Sequence, residues 1–197
     1  MKLLSTRLLW VALIAVALTG CAGRDFSRPE GDSTKLGATT YDQVVSKYGS
    51  PRQTSAVTSN GNDVKVITYS HAEAAPFTTI LRVKSMSFGF DKASLLVTYD
   101  FVSSFDDTKR APITTEQVKM IKAGLTRTDL IAAMGQPNGE AIFPMVDEGS
   151  TLLRYNFLET WRIPFVPAPR INKKTMRVTL DQNSIVTDVK VEESNQN

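Results

Sequence analysis

The chain has few side chains that could perform chemistry. It contains one histidine, His71, so a metal site with several imidazole ligands is excluded, and a Ser-His-Asp triad would have to use this residue. The sequence has no Gly-x-Ser-x-Gly motif around a nucleophile. Paired carboxylates occur at 106–107 and 192–193, in a predicted linker and tail where solvated charge is usual. We therefore predict that the protein is not an enzyme and has no catalytic residue, no metal site and no cofactor.

The residue that predicts a covalent modification is Cys21, the only cysteine of the chain. It follows Leu18, Thr19 and Gly20, an order typical of the bacterial lipobox, in which the thiol takes the lipid. We predict that Cys21 is lipidated, with palmitate among its acyl chains, and anchors the protein to a membrane. The alternative is an ordinary secretory signal that happens to contain a cysteine.

The segment before Cys21 is typical of a signal peptide. Lys2 and Arg7 give it a positive start, and residues 8–18 form an apolar run. This run is too short for a permanent transmembrane helix, which needs about 20 apolar residues. We predict that residues 1–20 are a lipoprotein signal peptide and that residues 21–35 are a flexible tether.

Location and charge follow from the same boundary. Ala22, rather than Asp, follows the cysteine, and this predicts transfer to the outer membrane with the protein facing the periplasm. The formal net charge of +3 for the whole chain falls to +1 when Lys2 and Arg7 are removed with the signal. The mature chain therefore lacks the basic excess that nucleic-acid binding requires, and no nucleic acid is expected as a partner.

Two stretches of the chain share one pattern. TYDQVVSKYGSP, residues 40–51, and TRTDLIAAMGQP, residues 126–137, both begin with Thr and end with Gly-x-Pro. Further on, the stretches that start at Met86 and Met176 share Met, Asp and Ser at matching positions. Blocks in the same order predict duplication of a supersecondary unit, and the alternative is chance similarity between β-rich segments.

In the second copy, the sequence predicts the helices and strands that would position a functional site. Residues 113–124 predict a helix that begins after Thr114 or Thr115 and ends at Gly124. A second helix should begin after Thr126 and end at Gly135. Alternating apolar residues then predict three strands, each buried on one face.

The repeated patterns divide the chain into two units. The first repeat covers residues 36–102 with a degenerate first helix, residues 103–112 are a linker, residues 113–192 form the second repeat, and residues 193–197 are a tail. One unit of roughly 75 to 80 residues has a marginal core, so pairing should bury additional apolar surface.

A proline-rich segment, residues 161–170, is the best candidate for a partner-binding loop. Its sequence, WRIPFVPAPR, is rich in the aromatic residues and Arg that are enriched at interfaces. Prolines also argue against a regular central strand. We predict partner binding through Trp161, Arg162 and Phe165. The alternative is that Trp161 and Phe165 cover the end of the sheet.

Residues 113–137 resemble the helix-turn-helix opening of the SmpA/OmlA/BamE outer-membrane lipoproteins. That family has Gly-Met-Thr at the turn, where this chain has Gly124-Leu125-Thr126, and Leu-Gly-x-Pro at the end, where it has Met134 before Gly135. The resemblance implies an α+β fold of two tandem BamE-like units, each with short helices packed on a three-stranded antiparallel sheet. Tandem copies of a similar unit also occur in β-lactamase inhibitor proteins.

The resemblance also sets the functional expectation. It implies a non-enzymatic outer-membrane lipoprotein that acts as a protein-binding scaffold in outer-membrane assembly or envelope integrity. The expected partner is an envelope protein, and the β-barrel assembly machinery is one candidate. The alternative is an inhibitor-like or ligand-binding periplasmic lipoprotein that uses its double sheet as the recognition surface.

Overall fold

One antiparallel β-sheet runs through the computed structural model, which describes residues 24–74, 81–161, 163, 166 and 170–196. The eight strands lie in sequence order, and each is hydrogen-bonded to the next. They are β1 (Gln53–Ser59), β2 (Asn62–Ala74), β3 (Leu81–Phe90), β4 (Leu96–Ser103), β5 (Gly139–Ala141), β6 (Thr151–Trp161), β7 (Arg170–Leu180) and β8 (Val186–Gln196). No helix among the described residues is long and apolar enough to cross a membrane.

The helical elements of the described chain are short. A 3-10 helix covers Gly31–Thr34, and the α-helices are α1 (Tyr41–Tyr48), α2 (Thr115–Met120) and α3 (Arg127–Met134). Each α-helix begins with the same capping box, in which a Thr side chain accepts the N3 backbone N–H and the N3 side chain accepts the Thr backbone N–H. The caps are Thr40, Thr114 and Thr126, which confirms the predicted helix starts at Thr114 and Thr126.

The expected fold of two tandem units, each with a separate three-stranded sheet, is wrong. The two halves of the chain form one continuous sheet of eight strands. The strand that joins them is β5, which pairs with β4 on one side and with β6 on the other. Each half contributes four strands, because β1 and β5 precede the three that the alternation predicted. These two lack the apolar alternation of a strand that faces a core, so the pattern could not reveal them.

All three α-helices of the described chain pack on one face of this sheet. Cross-strand partners lie on the same face, and Tyr99 of β4, Glu140 of β5 and Leu153 of β6 are successive partners. Tyr99 belongs to the core beneath α1, and Leu153 to the core beneath α2 and α3. The register therefore places both cores on one side, which we call the helix face, and leaves the opposite side as the open face.

Each half buries its own apolar cluster beneath its helices. In the first half, Val44 of α1 packs with aromatic and aliphatic side chains of β2, β3 and β4, including Phe88, Phe90 and Phe101. In the second half, Leu130 of α3 packs with side chains of β6, β7 and β8. The junction between the halves is therefore not made by either core, and it depends on contacts around β5.

The same turn positions the helices of both halves. Ser94 and Ser184 both adopt a φ of 61°, in the turns that join β3 to β4 and β7 to β8. The carbonyl of Ser94 accepts the N–H of Tyr41, the first residue of α1, at 3.0 Å. In the same way, the carbonyl of Ser184 accepts the N–H of Arg127, the first residue of α3, at 2.9 Å. The starts of α1 and α3 are thus fixed to turns at one end of the sheet.

We expect Gly135→Val to destabilise the protein by about 1 to 3 kcal/mol. Gly135 ends α3 with φ 72° and ψ −174°, a region that is essentially restricted to glycine. A Cβ built at this position meets nothing within 4 Å, so the cost is backbone strain and not a clash. Thermal and urea unfolding would measure it.

Ala132→Val, at an exposed site in the same helix, serves as the control and should cost only a few tenths of a kcal/mol. Equal stability of the two variants would contradict the assigned helix end. Gly49→Val, at the end of α1, should behave like Gly135→Val because Gly49 has φ 81° and ψ −165°.

Candidate interaction surface

The open face carries small and polar side chains in the first half and charged ones in the second half. Alternation along the strands from the core positions identifies them. In the first half they include Val66, Thr68, Val83, Ser85, Ser87 and Val102. In the second half they include Arg154, Asn156, Leu158, Lys173, Thr175 and Arg177. These residues alternate with core residues and carry no motif, so only their place in a strand could have identified them.

The two halves come into close contact at Gly139 in β5. A Cβ at this position would lie 2.5 Å from Asp100 Oδ1 and 2.5 Å from the carbonyl oxygen of Tyr99. Only a residue without a side chain permits this contact between β4 and β5. Because β5 has three residues, β4 and β6 continue beyond it without a strand between them.

Asn156 on β6 fills the space beyond β5. Its side-chain amide donates to Asp100 Oδ1 at 2.7 Å and to the carbonyl of Phe101 at 3.2 Å. Its Oδ1 accepts the hydroxyl of Thr175 at 3.0 Å, and its backbone N–H donates to Asn138 Oδ1 at 3.0 Å. Asn156 is 2% exposed, so these bonds replace the water that it loses on folding.

Asp100 and Arg154 bring charge to this junction. Burial raises the pKa of the Asp100 carboxyl above its usual value, and Arg154 and the Asn156 amide oppose this shift. Burial also lowers the pKa of the Arg154 guanidinium, which Asp100 partly restores. Arg154 Nη1 donates to the Thr98 hydroxyl at 3.1 Å and to the Tyr99 carbonyl at 3.2 Å. The pair therefore ties β6 to β4 on the open face.

Two depressions on the open face lie on either side of this junction. One, of about 300 Å³, is lined by charged and polar residues that include Asp100, Arg154 and Lys173. The other, of about 290 Å³, is lined mainly by apolar and small side chains, among them Val83 and Val102. The second also includes Leu158 of β6, so residues from both halves of the chain meet in it.

A polar cluster attaches the start of the described chain to the helix face. Asp25 Oδ1 lies 2.5 Å from Lys84 Nζ, and the Lys84 side chain is 6% exposed. This hydrogen bond holds the pKa of the Asp25 carboxyl below its usual value. His71, the single histidine of the chain, stacks on Phe105 with ring centroids 5.7 Å apart, and its Nε2 lies 3.3 Å from Glu73 Oε1. Asp25 therefore contacts the folded part of the chain, although it lies in the predicted flexible tether, residues 21–35.

The structure covers only part of the sites that the sequence predicted. Cys21, Arg162 and Phe165 lie outside the described residues. Trp161 ends β6, pairs with Arg170 of β7 and is 40% exposed. Within the described ranges, no group of three or more His, Cys, Asp and Glu side chains could hold a metal ion. The structure therefore does not test the predicted lipidation of Cys21 or the predicted partner binding by residues 161–170.

Comparisons with known proteins do not assign a family. No protein-family model matches the chain, and no curated protein matches it significantly. A crystal structure from Streptococcus mutans, provisionally described as a beta-lactamase inhibitor protein, is similar with a TM-score of 0.44 and 10% identity. The similarity covers 91% of this chain and 94% of that one. The description of that structure names the class of protein in the inhibitor-like alternative. A TM-score of 0.44 is too low to support an argument about function.

We expect Asn156→Leu to destabilise the protein by about 2 kcal/mol or more. The substitution removes the amide and leaves the buried groups of Asp100 and Thr175 without their partner, which costs about 1 to 3 kcal/mol for each unsatisfied group. Asn183→Leu, at an exposed position of the β7–β8 turn, is the matched control. Denaturant unfolding should separate the two variants, and an equal loss in both would mean that Asn156 does not hold the junction.

Proposed function

We propose that the protein is a non-enzymatic recognition module that binds an envelope protein through the open face of its sheet. The observation that carries this proposal is the one-sided packing of the helices. All three α-helices of the described chain cover the helix face, so the opposite face of the eight strands is the broad surface that they leave uncovered. The inhibitor-like or ligand-binding alternative requires such a face.

The size of the open face supports a protein partner. Strands about 4.8 Å apart give eight strands a width of about 34 Å. Six residues of each longer strand extend about 20 Å, so the face measures about 700 Å², similar to the roughly 800 Å² that each partner buries in a standard interface. The two depressions are each about 300 Å³, at the small end for ligand pockets, and they suit anchor side chains of a larger partner.

The chemistry of the face supports a mixed apolar and charged contact. The apolar depression could take an aliphatic or aromatic anchor, which is where binding energy concentrates in interfaces. The neighbouring depression presents Lys173 and Arg154 beside Asp100 and Glu192, so it favours a partner with both signs of charge. The face therefore combines an apolar region with a charged region.

We also propose that Cys21 is lipidated and holds the protein on the periplasmic side of the outer membrane. The lipobox and Ala22 support this location. Mass spectrometry of the mature N-terminus should find Cys21 as the first residue, carrying a diacylglyceryl group and an amide-linked acyl chain. A Cys21→Ser variant should be released from the membrane fraction. An unmodified Cys21, or a retained segment 1–20, would contradict the proposal.

A role in outer-membrane assembly is the second candidate. The resemblance of residues 113–137 to the SmpA/OmlA/BamE lipoproteins supports it, together with the lipobox. The two candidates differ in the partner, which would be a component of the barrel assembly machinery for the scaffold and an enzyme or other envelope protein for the recognition module. Identification of the bound partner separates them.

We expect open-face substitutions to weaken partner binding while leaving the fold intact. A photo-crosslinking residue at Thr68 or Lys173 should give a discrete adduct in cells, and mass spectrometry would identify the partner. With that partner purified, Thr68→Arg and Lys173→Glu should each raise Kd by about tenfold or more, equivalent to about 1.4 kcal/mol.

The controls introduce the same side chains on the helix face. Ala132→Arg matches Thr68→Arg, and Lys119→Glu matches Lys173→Glu, because both control sites are exposed on helices. We expect them to bind the partner with unchanged Kd. Weakening by the controls but not by the open-face variants would transfer the binding site to the helix face and overturn the proposal.

A further inference from the structure

We propose that one end of the sheet lies against the bilayer and that Trp161 and Ile163 enter its interfacial region. This inference rests on the proposed membrane anchor at Cys21. In this arrangement the exposed apolar side chains of Trp161 and Ile163 contact lipid and not a protein partner.

The two ends of the sheet differ in what they carry. At one end lie the turns at Asn60–Gly61, Asp91–Ser94 and Asp181–Ser184, and we call this the turn end. At the other end, β2, β6 and β8 finish and β3 and β7 begin. We call this the anchor end, because the start of the described chain also lies there.

The N-terminal segment is fixed to the fold near the anchor end. Asp25 binds Lys84, which lies three residues from the start of β3. Arg28 Nη2 donates to the carbonyl of Pro137 at 2.7 Å, so the segment also contacts the second half of the chain. The chain therefore leaves the fold from a fixed point, and a lipid attached shortly before that point limits how far the anchor end can lie from the membrane.

The length of the free segment sets this limit. Cys21 precedes Asp25 by four residues, which span at most about 14 Å when fully extended. From Lys84 to the turn end, β3 continues for six residues to Phe90, a distance of about 20 Å. A lipid on Cys21 therefore holds the anchor end near the bilayer, whereas the turn end points away from it.

Two exposed apolar residues, Trp161 and Ile163, lie at this same end. Trp161 is 40% exposed and Ile163 is 38% exposed. Thr160, next to Trp161, donates its hydroxyl to the carbonyl of Leu81 at 2.6 Å, and Leu81 is three residues from Lys84 along β3. Trp161 therefore lies close to the point where the chain leaves for Cys21.

The chemistry of these side chains fits the bilayer interface. Tryptophan is enriched at the membrane–water interface because its ring is apolar and its indole N–H is polar. The charges beside it are partly balanced, since Asp106 lies 3.4 Å from Arg82 and 2.7 Å from Lys109, and Glu159 lines the same depression as these residues. Insertion of the two apolar side chains does not itself require charged lipids, so uncharged lipids provide the direct test.

Fluorescence can test the orientation without cellular lipidation. The chain has two tryptophans, Trp10 and Trp161. Because Trp10 precedes Cys21, Trp161 is the single tryptophan of residues 21–197. A maleimide lipid can be coupled to Cys21, the only cysteine, and the protein attached to phosphatidylcholine vesicles with brominated acyl chains. We expect the Trp161 emission to shift to shorter wavelength and to lose about half its intensity or more relative to vesicles without bromine.

A reporter at the turn end provides the matched control. Phe143 is 41% exposed, nearly the same as Trp161, and lies in the loop between β5 and β6. The double variant Trp161→Phe and Phe143→Trp should show no quenching on the same vesicles. Absence of quenching in the unsubstituted protein, or equal quenching in both proteins, would overturn the proposal. Because the lipid is coupled chemically, these outcomes are independent of whether Cys21 is lipidated in the cell.

Discussion

The close contact between β4 and β5 joins the two halves of the molecule. Gly139 brings its backbone against Tyr99 and Asp100, and a side chain at this position would occupy the same space as their atoms. Through this contact, two four-stranded halves become one sheet. Without it, each half would have a core of marginal size and an exposed strand edge in the middle of the molecule.

The junction also explains why the two faces of the sheet differ. Pairing through β5 keeps the strand register continuous, so the apolar positions of both halves lie on one face and all described α-helices collect there. The polar side chains of the strands therefore lie on the open face. Asn156 and Arg154 satisfy buried polar groups at the start of β5, and they connect the two halves on the open face.

In the arrangement proposed above, membrane attachment and partner binding would use different parts of the molecule. The ion pair between Asp25 and Lys84 fixes the start of the described chain at the anchor end, where Trp161 and Ile163 are exposed. If that end lies against the bilayer, the strands stand away from the membrane and the open face points to the side. A lipid-anchored protein with this orientation could present its open face to a neighbouring envelope protein.

The local elements could be predicted from short patterns in the sequence. The capping threonines Thr114 and Thr126, the glycine at the end of α3 and the alternation in β6 and β7 all act within a few residues, so their patterns are visible in the chain. No such pattern predicts that the halves share one sheet, because the pairing of β4 with β5 joins residues about forty positions apart through a glycine that belongs to no motif. The open face has the same origin, since polar positions on a strand form a surface only when the register of every strand is fixed.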